Sequence, residues 1–87
     1  MHVTHDDAHH RFEVHADGGV AFLTYERPEG RFVVLHTEVP SNLEGQGIGG
    51  HLVQAAVAYA KQEQLKFVPL CPFARSYLRR HPELTDE

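Results

Sequence analysis

The stretch Val39-Pro40-Ser41-Asn42-Leu43-Glu44-Gly45-Gln46-Gly47-Ile48-Gly49-Gly50 joins an apolar strand to an alanine-rich segment that begins at His51. Four glycines fall within its last six positions. Glycine adopts positive φ angles readily and lets a ligand approach the backbone closely. No Ser, Thr, Asp or Asn immediately precedes the helix that should follow, so its first N–H groups lack a side-chain cap. Free amides at the positive end of a helix dipole favour a bound phosphate or diphosphate.

Length and composition predict one small globular domain. The chain has 87 residues, 41% of them hydrophobic, so we expect a single domain over residues 1–87. A net charge of −4 and the lack of a basic cluster beyond Arg75, Arg79 and Arg80 argue against a nucleic acid partner. One cysteine allows no internal disulfide and fits a reducing compartment. With no apolar run long enough to cross a bilayer and no signal peptide, we expect a cytoplasmic protein.

The first ten residues hold four of the eight histidines, His2, His5, His9 and His10. Imidazole is a common zinc ligand, but no second cluster has the spacing of a structural zinc site. We therefore predict no metal site here. A frayed terminus, or the start of an edge strand, is the expected structure over residues 1–10.

A β-strand pattern begins at Phe12. Residues 12–16 alternate apolar and polar, and the following Asp17-Gly18-Gly19 is typical of a turn. Residues 20–26 form a second predicted strand, and Arg27-Pro28-Glu29-Gly30 suits a type I turn. Residues 31–39 form a third, which is apolar on both faces in its first half, as in a central strand. Three strands joined by short turns predict an antiparallel meander.

The second half of the chain predicts two helices around one more strand. Apolar residues at helical spacing from about residue 47 to 64 predict a long helix packed on the sheet. Residues 65–71 read as a fourth strand, where Pro69 indicates an edge or a bulge. Pro72 suits the first residue of a last helix that reaches Arg80, and Thr85-Asp86-Glu87 is a tail. The order βββαβα predicts an α+β fold with the glycine loop at a strand's carboxyl end, where ligands commonly bind in open sheets.

The glycine loop resembles the signature of the GNAT acetyltransferases, Gln/Arg-x-x-Gly-x-Gly/Ala. It reads Glu44-Gly45-Gln46-Gly47-Ile48-Gly49 here, and Gly50 follows. The resemblance implies that the backbone at Val39 holds the pantetheine arm of acetyl-CoA while residues 44–50 bind its diphosphate. Glu44 stands where the family has Gln or Arg, and a carboxylate beside a diphosphate is unfavourable. We therefore expect Glu44 to face solvent and the cofactor affinity to lie below the family norm.

A narrower resemblance covers most of the chain. It is similar to the small single-domain GNAT-like family at His36-Thr37-Glu38-Val39-Pro40, at Gly45-Gln46-Gly47-Ile48-Gly49, at Cys71-Pro72-Phe73, and at Tyr77 with His81-Pro82-Glu83. These matches occur in the correct order over residues 36–83. They imply a compact GNAT-type fold that binds CoA or acetyl-CoA and lacks the early helices that build the acceptor site in larger members.

Cys71 is the candidate reactive group. It directly precedes a predicted helix start, and a helix N-terminus lowers the pKa of a thiol. In the arrangement that the family implies, this strand end diverges from the cofactor strand, so Cys71 would lie near the thioester and could accept the acetyl group. A buried, inert cysteine is the structural alternative.

His36 lies three residues before Val39, on the opposite face of the same predicted strand. Histidine can act as a general base near neutral pH. A hydrogen-bonded structural histidine is an equal alternative. The pairing of His36 with Cys71 is a hypothesis about their distance in the fold.

Tyr77 occupies a place where many GNAT enzymes carry a tyrosine near the CoA sulfur, which implies a proton donor to the leaving thiolate. A tyrosine packed on the sheet is the alternative. Arg75, Arg79 and Arg80 form a basic strip that could pair with the 3′-phosphate of CoA. As a plain solvated helix face they would need no ligand.

The leading hypothesis is an acetyl-CoA-dependent N-acetyltransferase with an unknown amine acceptor, with Cys71 as the reactive group and His36 as the candidate base. A CoA-binding or self-acetylating module without a dedicated acceptor site is the second, because 87 residues leave little chain to wall an acceptor pocket. The third is a small interaction domain whose glycines serve only the turn.

Overall fold

A computed structural model describes residues 1–85 as a five-stranded sheet with two helices packed on one of its faces. The strands are β1 (Thr4–Asp6), β2 (Arg11–Ala16), β3 (Gly19–Glu26), β4 (Arg31–Glu38) and β5 (Lys66–Pro69), and the helices are α1 (Ile48–Gln62) and α2 (Pro72–Arg80). The predicted α+β class and antiparallel meander are confirmed, and the predicted order βββαβα gains one further strand, β1, at its start. Asp86 and Glu87 of the expected tail lie outside the described residues.

The spatial order of the strands follows the chain from β1 to β5. The first four strands pair antiparallel, whereas β5 pairs parallel to β4 because α1 carries the chain back across the sheet. This order puts β4 inside the sheet and β5 at its edge, as the apolar pattern and Pro69 indicated. The pairing of β5 with β4 is short, since it covers Arg31 to Val34 only.

Several element ends differ from the predicted ones. Helix α1 begins at residue 48 and ends at 62, inside the expected 47–64, because Gly47 is in the left-handed region with φ 77° and Glu63 caps the helix at its other end. Strand β5 ends at Pro69 rather than Cys71. The amides of Leu70 and Cys71 both donate to the Val34 carbonyl, at 3.0 and 3.2 Å, and the strand stops there.

Of the two structures expected over residues 1–10, the edge strand is the one observed, because Thr4–Asp6 form β1 at the edge of the sheet. Strand β1 pairs with β2 from Thr4 to Asp6. The His5 ring stacks on Phe12 at 4.2 Å between centroids, and its Nε2 shares a hydrogen bond with the Tyr25 hydroxyl. Aromatic contacts of this kind hold a short polar strand that has no apolar alternation of its own.

The core lies between the sheet and the helices. Alternate residues of β3, among them Leu23 and Tyr25, point toward α1, as do Phe32 and Val34 of β4. The α1 stripe that meets them includes Leu52, Val53, Ala56, Val57 and Ala60, as its spacing predicted.

Neither helix among residues 1–85 is both long and apolar enough to cross a membrane. Over the same residues no three His, Cys, Asp or Glu side chains come close enough together to hold a metal ion.

Candidate functional site

A groove of about 710 Å³ lies where the end of β4, the start of α1 and helix α2 meet. This volume is within the range of about 300–1,000 Å³ that ligand sites occupy. The groove is lined by Thr37, Glu38, Val39, Leu43, Glu44, Gly45, Gly47, Ile48, Gly49, Gly50, His51, Gln54, Phe73, Tyr77 and Arg80. We call it the loop groove, because residues 44–50 supply much of its wall.

The backbone of the glycine loop presents unused amides to this groove. Within residues 1–85, the amides of residues 45–50 make no hydrogen bond of normal geometry to a carbonyl or a side chain. The first helical bond runs from the His51 amide to the Gly47 carbonyl, at 3.1 Å. No side chain caps α1, as the sequence predicted. Unpaired N–H groups at a helix start form a site for an anion.

The glycines of the loop serve two different purposes. Gly45 and Gly47 have φ angles of 86° and 77°, and a Cβ at either position would meet nothing within 4 Å. Glycine is required at these two positions by the positive φ angle, and the space beside them is open. Gly49 and Gly50 instead allow close packing, since a Cβ would lie 2.6 Å from the Phe73 ring or the Tyr77 ring, respectively. These two glycines bring α2 against the start of α1 and so form one wall of the loop groove.

Strands β4 and β5 separate at Val34. Strand β4 continues to Glu38, but within the described chain no residue of β5 pairs with it beyond Val34. The freed edge leads to Thr37 and Val39, both of which line the loop groove. An unpaired strand edge offers N–H and C=O groups to an extended ligand.

A β-bulge decides which side chains of β4 face the groove. Thr24 pairs with His36 and Tyr25 pairs with Val34, so Leu35 is an extra residue without a partner on β3. The extra residue reverses the alternation. Thr37 consequently shares the helix-covered face with its partner Leu23, while His36 lies on the outer face of the sheet.

His36 is therefore not brought together with Cys71. Its ring lies 6.1 Å from that of Phe22, on the outer face, and its Nε2 is 3.1 Å from Glu38 Oε1. The side chain is 58% exposed. His36 therefore lies on the face opposite to that of Val39, as the sequence predicted.

Cys71 lies at the separation point of the two strands, just before α2. Its thiol donates a hydrogen bond to Thr37 Oγ1 at 3.6 Å. Burial acts to raise the pKa of this thiol, but hydrogen bonds from the Ala74 amide, with Thr37 and from the Phe73 amide outweigh burial and hold the pKa below its ordinary value. The residue is only 3% exposed and is not among those that line the loop groove.

Tyr77 reaches into the loop groove from α2. Gln54 of α1 donates a 2.6 Å hydrogen bond to its hydroxyl oxygen, and the His81 ring stacks on it at 4.3 Å. With the oxygen accepting from Gln54, the phenolic hydrogen is left to donate to another group. Tyr77 is thus a fixed hydrogen-bond donor at the groove wall.

The basic strip of α2 is divided between two sides of the helix. Arg80 lines the loop groove, whereas Arg75 and Arg79 line a different depression. Two acidic residues, Glu38 and Glu44, also line the loop groove. Glu44 is exposed, as expected. One arginine can therefore neutralise an anion here, in a site that also carries negative charge.

The loop groove brings together most of the residues that the sequence singled out. Those on its wall are Val39, Glu44, Gly45, Gly47, Ile48, Gly49, Gly50 and Tyr77. Gln46 and Cys71 adjoin it without lining it, and His36 faces away. Sequence reasoning missed Thr37 and Gln54 as groove residues. Gln54 is four residues from Gly50 on the helix, and this spacing could have placed it on the same face.

These donors fit an extended molecule with a diphosphate, the chemistry of CoA. Free amides and Arg80 suit the anion. The open β4 edge suits an amide-bearing arm, as in strand addition. The open space beside Gly45 and Gly47 would be filled by any larger side chain.

Comparison with a family model and with a solved structure gives the family, and comparison with curated proteins gives relatives. Residues 11–87 match the model of the GCN5-related N-acetyltransferases. Protein NATD1 of Mus musculus and that of Homo sapiens are each 36% identical over 85 residues, which cover 94% of this chain and 77% and 75% of theirs. The NMR structure of a GCN5-like protein from Staphylococcus aureus superposes with a TM-score of 0.75 at 26% identity, over 98% of this chain and 84% of that one. With a family match over nearly its whole length and the fold to go with it, the chain belongs to the GCN5-related N-acetyltransferase family.

Proposed function

We propose that this protein binds acetyl-CoA in the loop groove and catalyses acetyl transfer to an amine. The observation that carries the proposal is the run of backbone amides at residues 45–50, which have no acceptor within the described chain; all of these residues except Gln46 line a groove of about 710 Å³. Acetyl-CoA would supply an activated acetyl group on a thioester. The family to which this protein belongs generally uses acetyl-CoA. The hydrogen-bond donors of the loop groove suit the diphosphate of this cofactor.

Each wall of the groove has a separate task in this proposal. The amides of residues 45–50 and the Arg80 guanidinium hold the anionic part, where the helix dipole adds to the attraction. The freed edge of β4, with Val39 directly after it, aligns an extended amide arm by backbone hydrogen bonds. Held at both points, the reacting end is directed toward Thr37, at the separation of β4 and β5.

Tyr77 is the candidate proton donor. Its hydroxyl oxygen accepts a hydrogen bond from Gln54, which fixes the ring and leaves the phenolic proton to point elsewhere. A leaving thiolate in the loop groove would be a suitable acceptor for that proton. His36 is a candidate base only for an amine that approaches on the outer face of the sheet, where its ring is exposed.

A self-acetylating module is the second candidate, and the lowered pKa of Cys71 favours it. In that reaction Cys71 gives its thiol proton to solvent and the thiolate attacks the acetyl carbon. A thioester forms on Sγ as the bond from the acetyl carbon to the CoA sulfur breaks, and CoA leaves as a thiolate that takes a proton from solvent. The 3% exposure of Cys71 opposes direct attack, since the sulfur contacts Thr37, which lines the groove, but Cys71 itself does not line it. A free cysteine of this kind fits the reducing cytoplasm that we expect for the protein.

Radiolabelled acetyl-CoA distinguishes the two functions. The wild-type protein and Cys71→Ser are each incubated with labelled acetyl-CoA, with and without a panel of primary amines. Label that moves to an amine in both proteins supports the transferase. Label that stays on the wild-type protein, is absent from Cys71→Ser and never reaches an amine supports the self-acetylating module. If neither protein transfers label and CoA does not raise the melting temperature of the wild-type chain, both functions are excluded.

A further inference from the structure

A second groove, of about 500 Å³, lies on the other side of α2 from the loop groove. It runs between the last half of α1, strand β5 and α2, and it shares no lining residue with the loop groove. None of its residues has a part in the function proposed above. We call it the basic groove, for the four cations on its rim: Lys61, Lys66, Arg75 and Arg79.

The floor of the basic groove is apolar. Val57 of α1 lies at its base, and Leu65, Phe67 and Leu78 are half-buried around it. The Phe67 ring stacks on Phe32 of the core at 5.7 Å between centroids, which fixes its orientation. A rigid, half-buried aromatic floor of this kind favours an apolar side chain as the occupant.

The rim carries positive charge on both sides of that floor. Lys61 and Lys66 lie on the α1 and β5 side, and Arg75 and Arg79 lie on α2. Among residues 1–85, none of the four has a carboxylate within 4.0 Å, whereas Arg11 and Arg27 elsewhere pair with Glu13 and Glu63. Half of the Lys and Arg residues of a chain with net charge −4 thus surround one depression. An occupant with negative charge on both sides of an apolar centre would complement it.

We propose that the basic groove binds an acidic peptide segment of another protein, with an aromatic or branched apolar residue between carboxylates. The apolar residue occupies the floor beside Phe67, and the flanking carboxylates pair with the cations on either rim. This binding is independent of acetyl-CoA, because the two grooves share no lining residue.

Other occupants fit the groove less well. A flat bilayer cannot reach the floor of a concave groove, and the net charge of −4 opposes an anionic membrane. Strand addition at the edge of β5 is hindered because that strand has four residues and ends at Pro69, which has no N–H to donate. The peptide is therefore expected to bind through its side chains.

A titration followed by amide NMR shifts tests the proposal on the full chain. The probe is the blocked peptide Glu-Asp-Phe-Asp-Glu. We expect shift changes at Val57, Leu65 and Phe67, an affinity that falls several-fold between 50 and 300 mM salt, and no change at residues 45–50. Two control peptides each lack one of the recognised features: Gln-Asn-Phe-Asn-Gln lacks the carboxylates and Glu-Asp-Ser-Asp-Glu lacks the aromatic ring. Each should bind at least about threefold more weakly.

Two adjacent residues of α2 supply matched variants. Arg79→Glu and Arg80→Glu make the same change of charge, but Arg79 lines the basic groove and Arg80 lines the loop groove. We expect Arg79→Glu to weaken the acidic peptide about tenfold, since one rim cation becomes an anion that repels the peptide carboxylates, while CoA binding is unchanged. Arg80→Glu should leave peptide binding within about twofold and weaken CoA.

Equal binding of all three peptides, an equal effect of the two variants, or shifts confined to the loop groove would overturn the proposal. So would tighter binding to anionic vesicles than to the acidic peptide. The protein could also bind no peptide and show altered amide shifts in the basic groove when Asp86 and Glu87 are replaced by Asn and Gln. That result would indicate that residues 86 and 87 occupy the groove, and the proposal would be wrong. Because CoA is titrated on the same sample, failure of the peptide is separable from failure of the proposed function.

Discussion

The Cys71 thiol donates a 3.6 Å hydrogen bond to Thr37 Oγ1, across the point where β4 and β5 separate. This contact depends on the bulge at Leu35, because without the extra residue His36 rather than Thr37 would share the face of the thiol. One backbone irregularity thus places a hydroxyl beside the sulfur and sends the imidazole to the outer face. Burial acts to raise the pKa of Cys71, and the contacts that lower it come from Thr37 and the amides of α2, not from the outward-facing His36.

We predict that Thr37→Val raises the pKa of Cys71, because hydrogen bonding with Thr37 is one of the contacts that lower it. The adjacent change His36→Gln should leave it unaltered, since that ring lies on the other face. Thiolate absorbance near 240 nm, followed against pH, measures both. A rise caused by His36→Gln, with none from Thr37→Val, would contradict the assignment of faces.

The same thiol should contribute to the pH dependence of stability. Its pKa in the folded protein lies below the ordinary value of 9.0, so between the two values the unfolded chain binds more protons than the native one. This group therefore makes the free energy of unfolding increase as pH rises toward 9, and the contribution is lost as pH falls through the lowered pKa. Urea denaturation of the wild type and Cys71→Ser at several pH values checks this, because only the wild type should show the increase.

Gly50→Ala is predicted to destabilise the fold by about 1–3 kcal/mol, because the new Cβ would lie 2.6 Å from the Tyr77 ring. The intrinsic helix preference for Ala over Gly opposes this by roughly 1 kcal/mol. In a Tyr77→Ala background the clash is absent, so the same change should become neutral or stabilising. Thermal unfolding of the four proteins measures the sign, and destabilisation of equal size in both backgrounds would contradict the close packing.

Gly47→Ala is predicted to weaken CoA by about tenfold, or roughly 1.4 kcal/mol, because its methyl group would enter the open space beside the loop. Strain at φ 77° should also cost about 1–2 kcal/mol of stability. Gly30→Ala is the matched control, since Gly30 has φ 73°, has nothing within 4 Å of its Cβ position and lies away from the groove. Calorimetric titration should show normal CoA affinity for Gly30→Ala despite a similar loss of stability.

Glu44→Gln is predicted to raise CoA affinity about two- to fivefold, because it removes a carboxylate from the wall of the loop groove. The gain should shrink at 0.5 M salt, where exposed charges are screened. Glu29→Gln, at an exposed turn outside the groove, removes the same charge and should have no effect. An equal gain from both variants would indicate a net-charge effect and not a local one.

The element order and the glycine loop could be predicted from the sequence, because apolar periodicity and glycine spacing are local signals. The bulge was missed, although Val33-Val34-Leu35 is an apolar run that breaks strict alternation. The pairing of Gly50 with Tyr77 could not be predicted, because it arises from how α2 packs on α1. For the same reason the sequence grouped Arg79 with Arg80, which line different grooves.

The edge strand β1 shows another limit of sequence interpretation. Its three residues carry no alternating apolar pattern, so the sequence left a frayed terminus and an edge strand as alternatives for residues 1–10. What holds them is the stacking of His5 on Phe12 and its hydrogen bond with Tyr25, contacts between residues far apart in the sequence. Only the register of β1 on β2 brings these groups together.

A CoA titration of the wild-type chain, followed by amide shifts, tests the central claim most directly. The unpaired amides of residues 45–50 should move most, Thr37 and Tyr77 should follow, and the outer-face His36 and the basic groove at Phe67 should remain unchanged. Saturating shifts elsewhere with an unaltered loop, or no shift at millimolar CoA, would contradict the assignment of the loop groove as the cofactor site.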